Sequence, residues 1–224
     1  MTESLNIDID QDYFNSLTSQ LAHRLLPTGK LKEFTGQNSV LIGGHAEAVI
    51  REYIANTIFP IRLSTGAVIF PGKAREETST QIDAICWSPN PFPAVFEAEN
   101  FALVPRMSSL GILEIKSSTY SGVGKDIKKV LDMEIELTAG PSDPVRRKRC
   151  AAMGVIVRQS KKISDSTLTK LISEGRAVVL IEERDGIEII NTKAVCKLVN
   201  FLSGIRWRWQ NLDGQTIIRD DLLK

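Results

Sequence analysis

A short apolar run, Leu110 to Ile115, contains an acid at Glu114 and is followed at once by a lysine, Lys116. Runs of this length and composition read as β-strands. Side chains alternate faces along a strand, so Glu114 and Lys116 share one face while Leu113 and Ile115 point into the core. Charge on a core strand is costly unless something compensates it. The fold must therefore bring a compensating group to this place. An earlier apolar run, Ile82 to Trp87, carries Asp83. A bound cation would compensate both acids. Two acids and a lysine on strands are what a Mg²⁺-dependent phosphodiesterase needs.

The rest of the pattern supplies layers for such a sheet. Asp10 to Leu26 has helical spacing, with Phe14, Leu17, Leu21 and Leu25 on one face, and Pro27-Thr28-Gly29 stops it. A second helix is expected after Gly43-Gly44, from His45 to Thr57, with Ala46, Val49, Ile50, Tyr53 and Ile54 as its stripe. Strands are expected at Gly66 to Phe70, Gln81 to Trp87, Ala94 to Phe96, Phe101 to Val104 and Gly111 to Lys116. A charged loop, Pro71 to Thr80, separates the first two. Lys125 to Leu137 is helical in spacing, Ala151 to Val157 reads as a buried strand, and Ser166 to Ser173 as a short helix. Val178 to Glu183 and Ile187 to Ile190 flank Asp185-Gly186, a hairpin signal. A final helix, Lys193 to Leu202, precedes Arg206-Trp207-Arg208-Trp209, whose alternating indoles suggest a strand or a subunit interface. The order helix, strands, helix, strand over roughly 45 to 157 is a compact α/β layer arrangement. Residues 1–224 are expected to form a single domain: an N-terminal helix and linker (1–40), a core (41–160) and a C-terminal elaboration packed on it (161–224).

Several function classes are excluded or disfavoured. With only His23 and His45, a multi-histidine metal site is ruled out and a Ser-His-Asp triad is improbable. Cys86, Cys150 and Cys196 are too widely spaced for a zinc ribbon and read as free buried thiols. No stretch approaches the roughly 20 apolar residues that span a bilayer. The N-terminus has no basic-then-apolar signal segment, so a cytoplasmic protein is expected. The net charge of +1 gives no global field toward nucleic acid, so any such binding rests on local patches.

The chemistry assigns roles. Asp83 and Glu114 each offer Mg²⁺ a carboxylate oxygen, and the carbonyl of Ile115 is placed as a third ligand; Mn²⁺ would substitute. Lys116 would hold the attacking water or stabilise charge on the phosphate. Glu47, entering from the second helix, would orient a water or bind a second metal. Gln81, on the strand face of Asp83, would touch the scissile strand or the attacking water. Lys125 and Lys128, with Lys129, form a basic helix face suited to phosphate contact. The plainer readings stay open: an ion pair for Glu114 and Lys116, a strand-end cap for Asp83, a hydrogen bonder in Gln81 and a solvated face for the lysines. Asp126-Ile127-Lys128 repeats the acid-x-Lys spacing on a solvent-facing helix. Gly122-Val123-Gly124-Lys125 lacks the spacing of a phosphate loop and reads as a helix start.

From Gly44 to Ser118 the chain resembles the PD-(D/E)XK, or restriction-endonuclease-like, superfamily. The pieces are Gly44-His45-Ala46-Glu47 opening a helix, Thr80-Gln81-Ile82-Asp83 on a strand and Glu114-Ile115-Lys116 further on. Ile58-Phe59-Pro60 and the segment from Asn90-Pro91-Phe92 through Phe101-Ala102-Leu103-Val104-Pro105 are similar to NucC-type effector endonucleases of bacterial anti-phage defence. The resemblance implies a restriction-endonuclease-like α/β core with a mixed central sheet flanked by helices, to which this chain adds a C-terminal hairpin and helix. It places the catalytic acids and lysine at Asp83, Glu114 and Lys116, and the helix acid at Glu47, with Glu52 nearby. It implies a Mg²⁺-dependent DNA endonuclease. For NucC-type enzymes it further implies a cyclic oligonucleotide activator and a homo-oligomer, trimeric or hexameric. The alternative is a non-catalytic nucleic-acid-binding or assembly module on the same fold.

Overall fold

The computed structural model describes residues 9–25, 39–70, 81–90, 92–138, 150–159, 165–184 and 187–213. Helices α1 (Ile9–Leu25) and α2 (Ser39–Ile58) lead into strands β1 (Arg62–Ile69), β2 (Ile82–Trp87), β3 (Phe96–Ala98), β4 (Phe101–Pro105) and β5 (Ser109–Ser118). Helix α3 (Val123–Thr138), strand β6 (Ala151–Arg158) and helix α4 (Ser166–Ser173) follow. Strands β7 (Ala177–Arg184) and β8 (Ile187–Ile190) and helix α5 (Thr192–Asp213) complete the order. All eight strands form one sheet in the order β3-β4-β1-β2-β5-β6-β7-β8. The sheet is mixed: β1–β4, β5–β6 and β6–β7 pair parallel, and the other neighbours pair antiparallel. This is the mixed, helix-flanked α/β sheet expected from the sequence, with its C-terminal hairpin and helix.

Both faces of the sheet are covered, which explains why its central strands are apolar nearly throughout. Leu21, Ile50, Ile54, Leu198 and Leu202 pack on one face with Leu113, Ile115 and Val155. Ile127, Leu131, Leu168 and Leu171 pack on the other with Ile85, Ile112 and Ile156. Glu114 and Lys116 share a face with Ile112, so their side is also a core face, on which α3 and α4 pack.

Several boundaries differ from the sequence expectation, three of them for a visible physical reason. Helix α2 starts at Ser39 rather than His45 and runs through Gly43-Gly44. Gly43 faces β5 closely enough that an added Cβ would lie 3.3 Å from Ser117 Oγ, so the glycine marks a close helix–strand approach and not a helix end. Strand β1 starts at Arg62, because the polar Ser64 faces inward and accepts the buried Trp87 indole N–H at 3.0 Å. Helix α5 continues through Arg206–Trp209, so the two indoles are helical; Trp209 packs on the core and Trp207 is exposed. After residue 160, β7 and β8 extend the same sheet. Cys86 and Cys150 are buried thiols as expected, whereas Cys196 is only partly buried. The loop Pro71 to Thr80, the basic run Arg146 to Arg149 and the turn Asp185-Gly186 lie outside the described residues.

Candidate active site

The site forms where β2 and β5 stop pairing as a regular ladder. Their antiparallel register runs through Cys86–Gly111, Ile85–Ile112 and Ala84–Leu113. One residue further, the Asp83 carboxylate takes over from the backbone: the Ile115 amide donates to Asp83 Oδ2 at 2.9 Å. Asp83 thus comes to the face that carries Glu114 and Lys116. Lys116 Nζ lies 2.6 Å from Glu114 Oε1 and 3.6 Å from Asp83 Oδ2. The ammonium bridges the two acids.

Glu114 is the most buried of the three, with 7% of the residue exposed. Burial pushes its carboxyl up; the Lys116 hydrogen bond and charge work against this and the Asp83 charge works with it, leaving the group at about 7. For Lys116 burial favours the neutral amine. The Glu114 hydrogen bond and the fields of both acids outweigh that and push it up to about 12. Glu114 Oε2 is buried without a hydrogen-bond partner, an unusual state for a carboxylate oxygen.

Glu47 joins from α2. It is half-buried, and burial followed by the Asp83 charge raises its carboxyl, against the opposing pull of Lys116 and Arg51. Gly43, one turn earlier, allows α2 to approach β5 closely and so sets the distance of Glu47 from the acids. Glu52 points elsewhere, paired to Arg24 at 2.7 Å.

The residues expected to touch substrate stand apart from this cluster. Gln81 is exposed just before β2. Lys125 and Lys129 are exposed on α3, and Lys128, also exposed, is paired with Asp132 one turn on. Within Asp126-Ile127-Lys128 only Ile127 is buried, as a helical decoy requires. The Gly122-Val123-Gly124-Lys125 segment is indeed a helix start. It is closed to outside anions by Asp165, which accepts from the Gly124 amide at 3.0 Å while capping α4 through Thr167 and Leu168.

Sequence reasoning missed Tyr120. Its hydroxyl donates to Asp126, and its phenol, raised to about 12 chiefly by burial and by Asp126, also feels the charges of Lys116 and Glu114. The available signal was the even spacing 114, 116, 118, 120, which carries the strand alternation past the end of the apolar run.

A divalent cation is tested by these same groups. Among the described residues no three His, Cys, Asp or Glu side chains form a ligand cluster. Mg²⁺ is commonly held by one or two carboxylates, keeping several waters. Two adjacent acids, one with a buried and unpartnered oxygen, fit that demand.

No protein-family model and no curated protein matches the chain. Solved structures do. NucC of E. coli MS115-1 in its cAAA-bound form is 15% identical with a TM-score of 0.59, covering 92% of this chain and 93% of that one. NucC of P. aeruginosa ATCC27853, cAAA-bound, is 15% identical with a TM-score of 0.56, covering 94% and 100%. The apo form of the E. coli protein is 14% identical with a TM-score of 0.54, covering 95% of each chain. At such identity the likeness establishes the fold: this chain has the NucC-like fold along nearly its whole length.

Proposed function

We propose that this protein is a Mg²⁺-dependent DNA endonuclease of the PD-(D/E)XK type, serving as a defence effector. One observation carries the reading: Asp83, Glu114 and Lys116, from two strands, converge on one point of a NucC-like sheet. Asp83 and Glu114 would hold the metal. The Ile115 carbonyl is a third candidate, because in a strand the amide and carbonyl of one residue face the same edge, and this amide already faces Asp83. Bound there, the ion supplies Lewis-acid activation of the phosphate and of a water.

The chain's own groups account for the remaining requirements. Lys116, protonated throughout the physiological range, can move from Glu114 to the phosphate or to the attacking water once a cation compensates the acids. Glu47, its carboxyl raised by burial and by the Asp83 charge, is suited to take up a proton or orient a water. Lys125, Lys128 and Gln81, outside the cluster, would contact the substrate backbone rather than the reacting atoms. By analogy with the cAAA-bound NucC structures, a cyclic oligonucleotide would bind and activate the enzyme; its working form would be a homo-oligomer, as the sequence resemblance to NucC-type enzymes implies.

The test is supercoiled plasmid with Mg²⁺, with and without cAAA. Linear or fragmented product is expected, lost on chelation and in Asp83→Ala and Lys116→Ala. Cleavage that persists in both variants overturns the role assignment. DNA retention that is independent of Mg²⁺, without cleavage under any condition, favours the non-catalytic module instead.

A further inference from the structure

The fold continues the catalytic face of β5 beyond the strand's end. Glu114, Lys116, Ser118 and Tyr120 occupy alternate positions, and the Thr119 amide bonds the Arg158 carbonyl of β6 at 3.1 Å, extending the pairing past Ser118. Exposure rises along this row, from the buried Glu114 through the partly buried Lys116 and Ser118 to Tyr120, which is 46% exposed. The row leads from the reacting centre to the surface and ends in an aromatic ring.

That ring is held in place. The Tyr120 carbonyl accepts the Val123 amide at the start of α3, and its hydroxyl donates to Asp126 one turn into the same helix. Because the hydroxyl is engaged, the group offered to solvent is the ring itself. An exposed aromatic with restricted rotation loses little conformational entropy when a ligand packs on it. Aromatic rings beside a phosphodiester site are platforms for bases and sugars, and they tolerate any sequence because every base has a π-face.

We infer that Tyr120 is a substrate-binding residue of this site, its ring packing on the base or sugar flanking the scissile phosphate, and that Asp126 acts as its positioning residue. The inference rests on the nuclease reading above and adds the mode of substrate contact. It gives Asp126, on an exposed helix face, a role that the repeated acid-x-Lys spacing does not suggest. It also separates binding from chemistry, since the ring touches the nucleic acid while Lys116 and the two acids face the phosphate.

The experiment is fluorescence anisotropy of labelled duplex and single-stranded DNA in a Glu114→Gln background, where no cleavage interferes, beside steady-state cleavage in the wild-type background. Tyr120→Ala is expected to weaken binding about ten-fold and to raise KM more than it lowers kcat, as loss of a stacked ring does. Tyr120→Phe retains most of the affinity. Asp126→Ala weakens binding no more than Tyr120→Phe does, and the Tyr120→Phe/Asp126→Ala double variant is no worse than either. All of these variants should keep the melting temperature of their parent, which separates a contact role from a structural one. If the parent binds and cleaves while Tyr120→Ala matches it in affinity and KM, the inference fails and the nuclease reading stands. If wild-type protein neither binds nor cleaves DNA or RNA with Mg²⁺ and cAAA present, both fail.

Discussion

The Lys116 ammonium stands between two carboxylates, one nearly out of reach of water, and this sets the behaviour of each residue. A carboxyl raised from its ordinary 4.5 to about 7 binds a proton more readily in the folded chain than in the unfolded one. Its contribution to stability is therefore fully present below pH 4.5 and fades as pH rises through about 7. Thermal melts of wild type between pH 5 and pH 8 should show this fall, and Glu114→Gln should flatten it. Cation binding restores what deprotonation removes. Added Mg²⁺ is accordingly expected to raise the melting temperature clearly at pH 8 and little at pH 5.5, with Asp83→Asn abolishing the shift. A pH-independent Mg²⁺ effect would separate the metal from Glu114. Lys116→Ala leaves Glu114 buried beside Asp83 with no cation, so it should cost stability above pH 7 and lower cleavage on the order of 100-fold or more.

At the scale of elements, the site depends on how closely the backbones approach. Gly66 of β1 has φ of 140°, and a side chain there would collide with the Ala102 carbonyl of β4. Gly66→Ala is thus expected to cost at least about 2 kcal/mol in urea unfolding, from strain and overpacking together. Because β1 also pairs with β2, cleavage should fall with it. The strands and helices that were plain in the sequence are those with strong periodicity: Ser166–Ser173 matched at both ends, and β2, β5 and β6 matched within about two residues. The misjudged boundaries share one cause. Gly43-Gly44, Ser64 and Arg206 to Trp209 look like breaks or exposed polar positions locally, and only a partner from a distant segment shows otherwise. Ser117 lies against Gly43, Trp87 bonds Ser64, and the core covers Trp209. The cluster of Asp83, Glu114 and Lys116 was legible because charge on apolar strands demands compensation. Tyr120 was not, because its bond to Asp126 depends on the turn between β5 and α3.

For the molecule as a whole, a single sheet with a core on each face joins the C-terminal elements to the site. Val195, Leu198, Val199, Leu202 and Ile205 of α5 are fully or almost fully buried on the face that holds Leu113 and Ile115. At about 1.5–3 kcal/mol per buried side chain their sum rivals the roughly 5–15 kcal/mol stability of a whole domain. Deleting the chain from Thr192 onward should therefore abolish cooperative unfolding rather than leave a stable core; a truncated protein with a sharp melt would show that α5 is dispensable. Among the described residues no helix is long and apolar enough to cross a membrane. The central claim concerns one point in this molecule, and diffraction from a crystal soaked in Mn²⁺ tests it most directly. The account predicts an anomalous peak between Asp83 and Glu114, within ligand distance of the Ile115 carbonyl, with Lys116 turned away from Glu114. An empty position there, with Lys116 still bridging the two acids in saturating Mn²⁺, contradicts it.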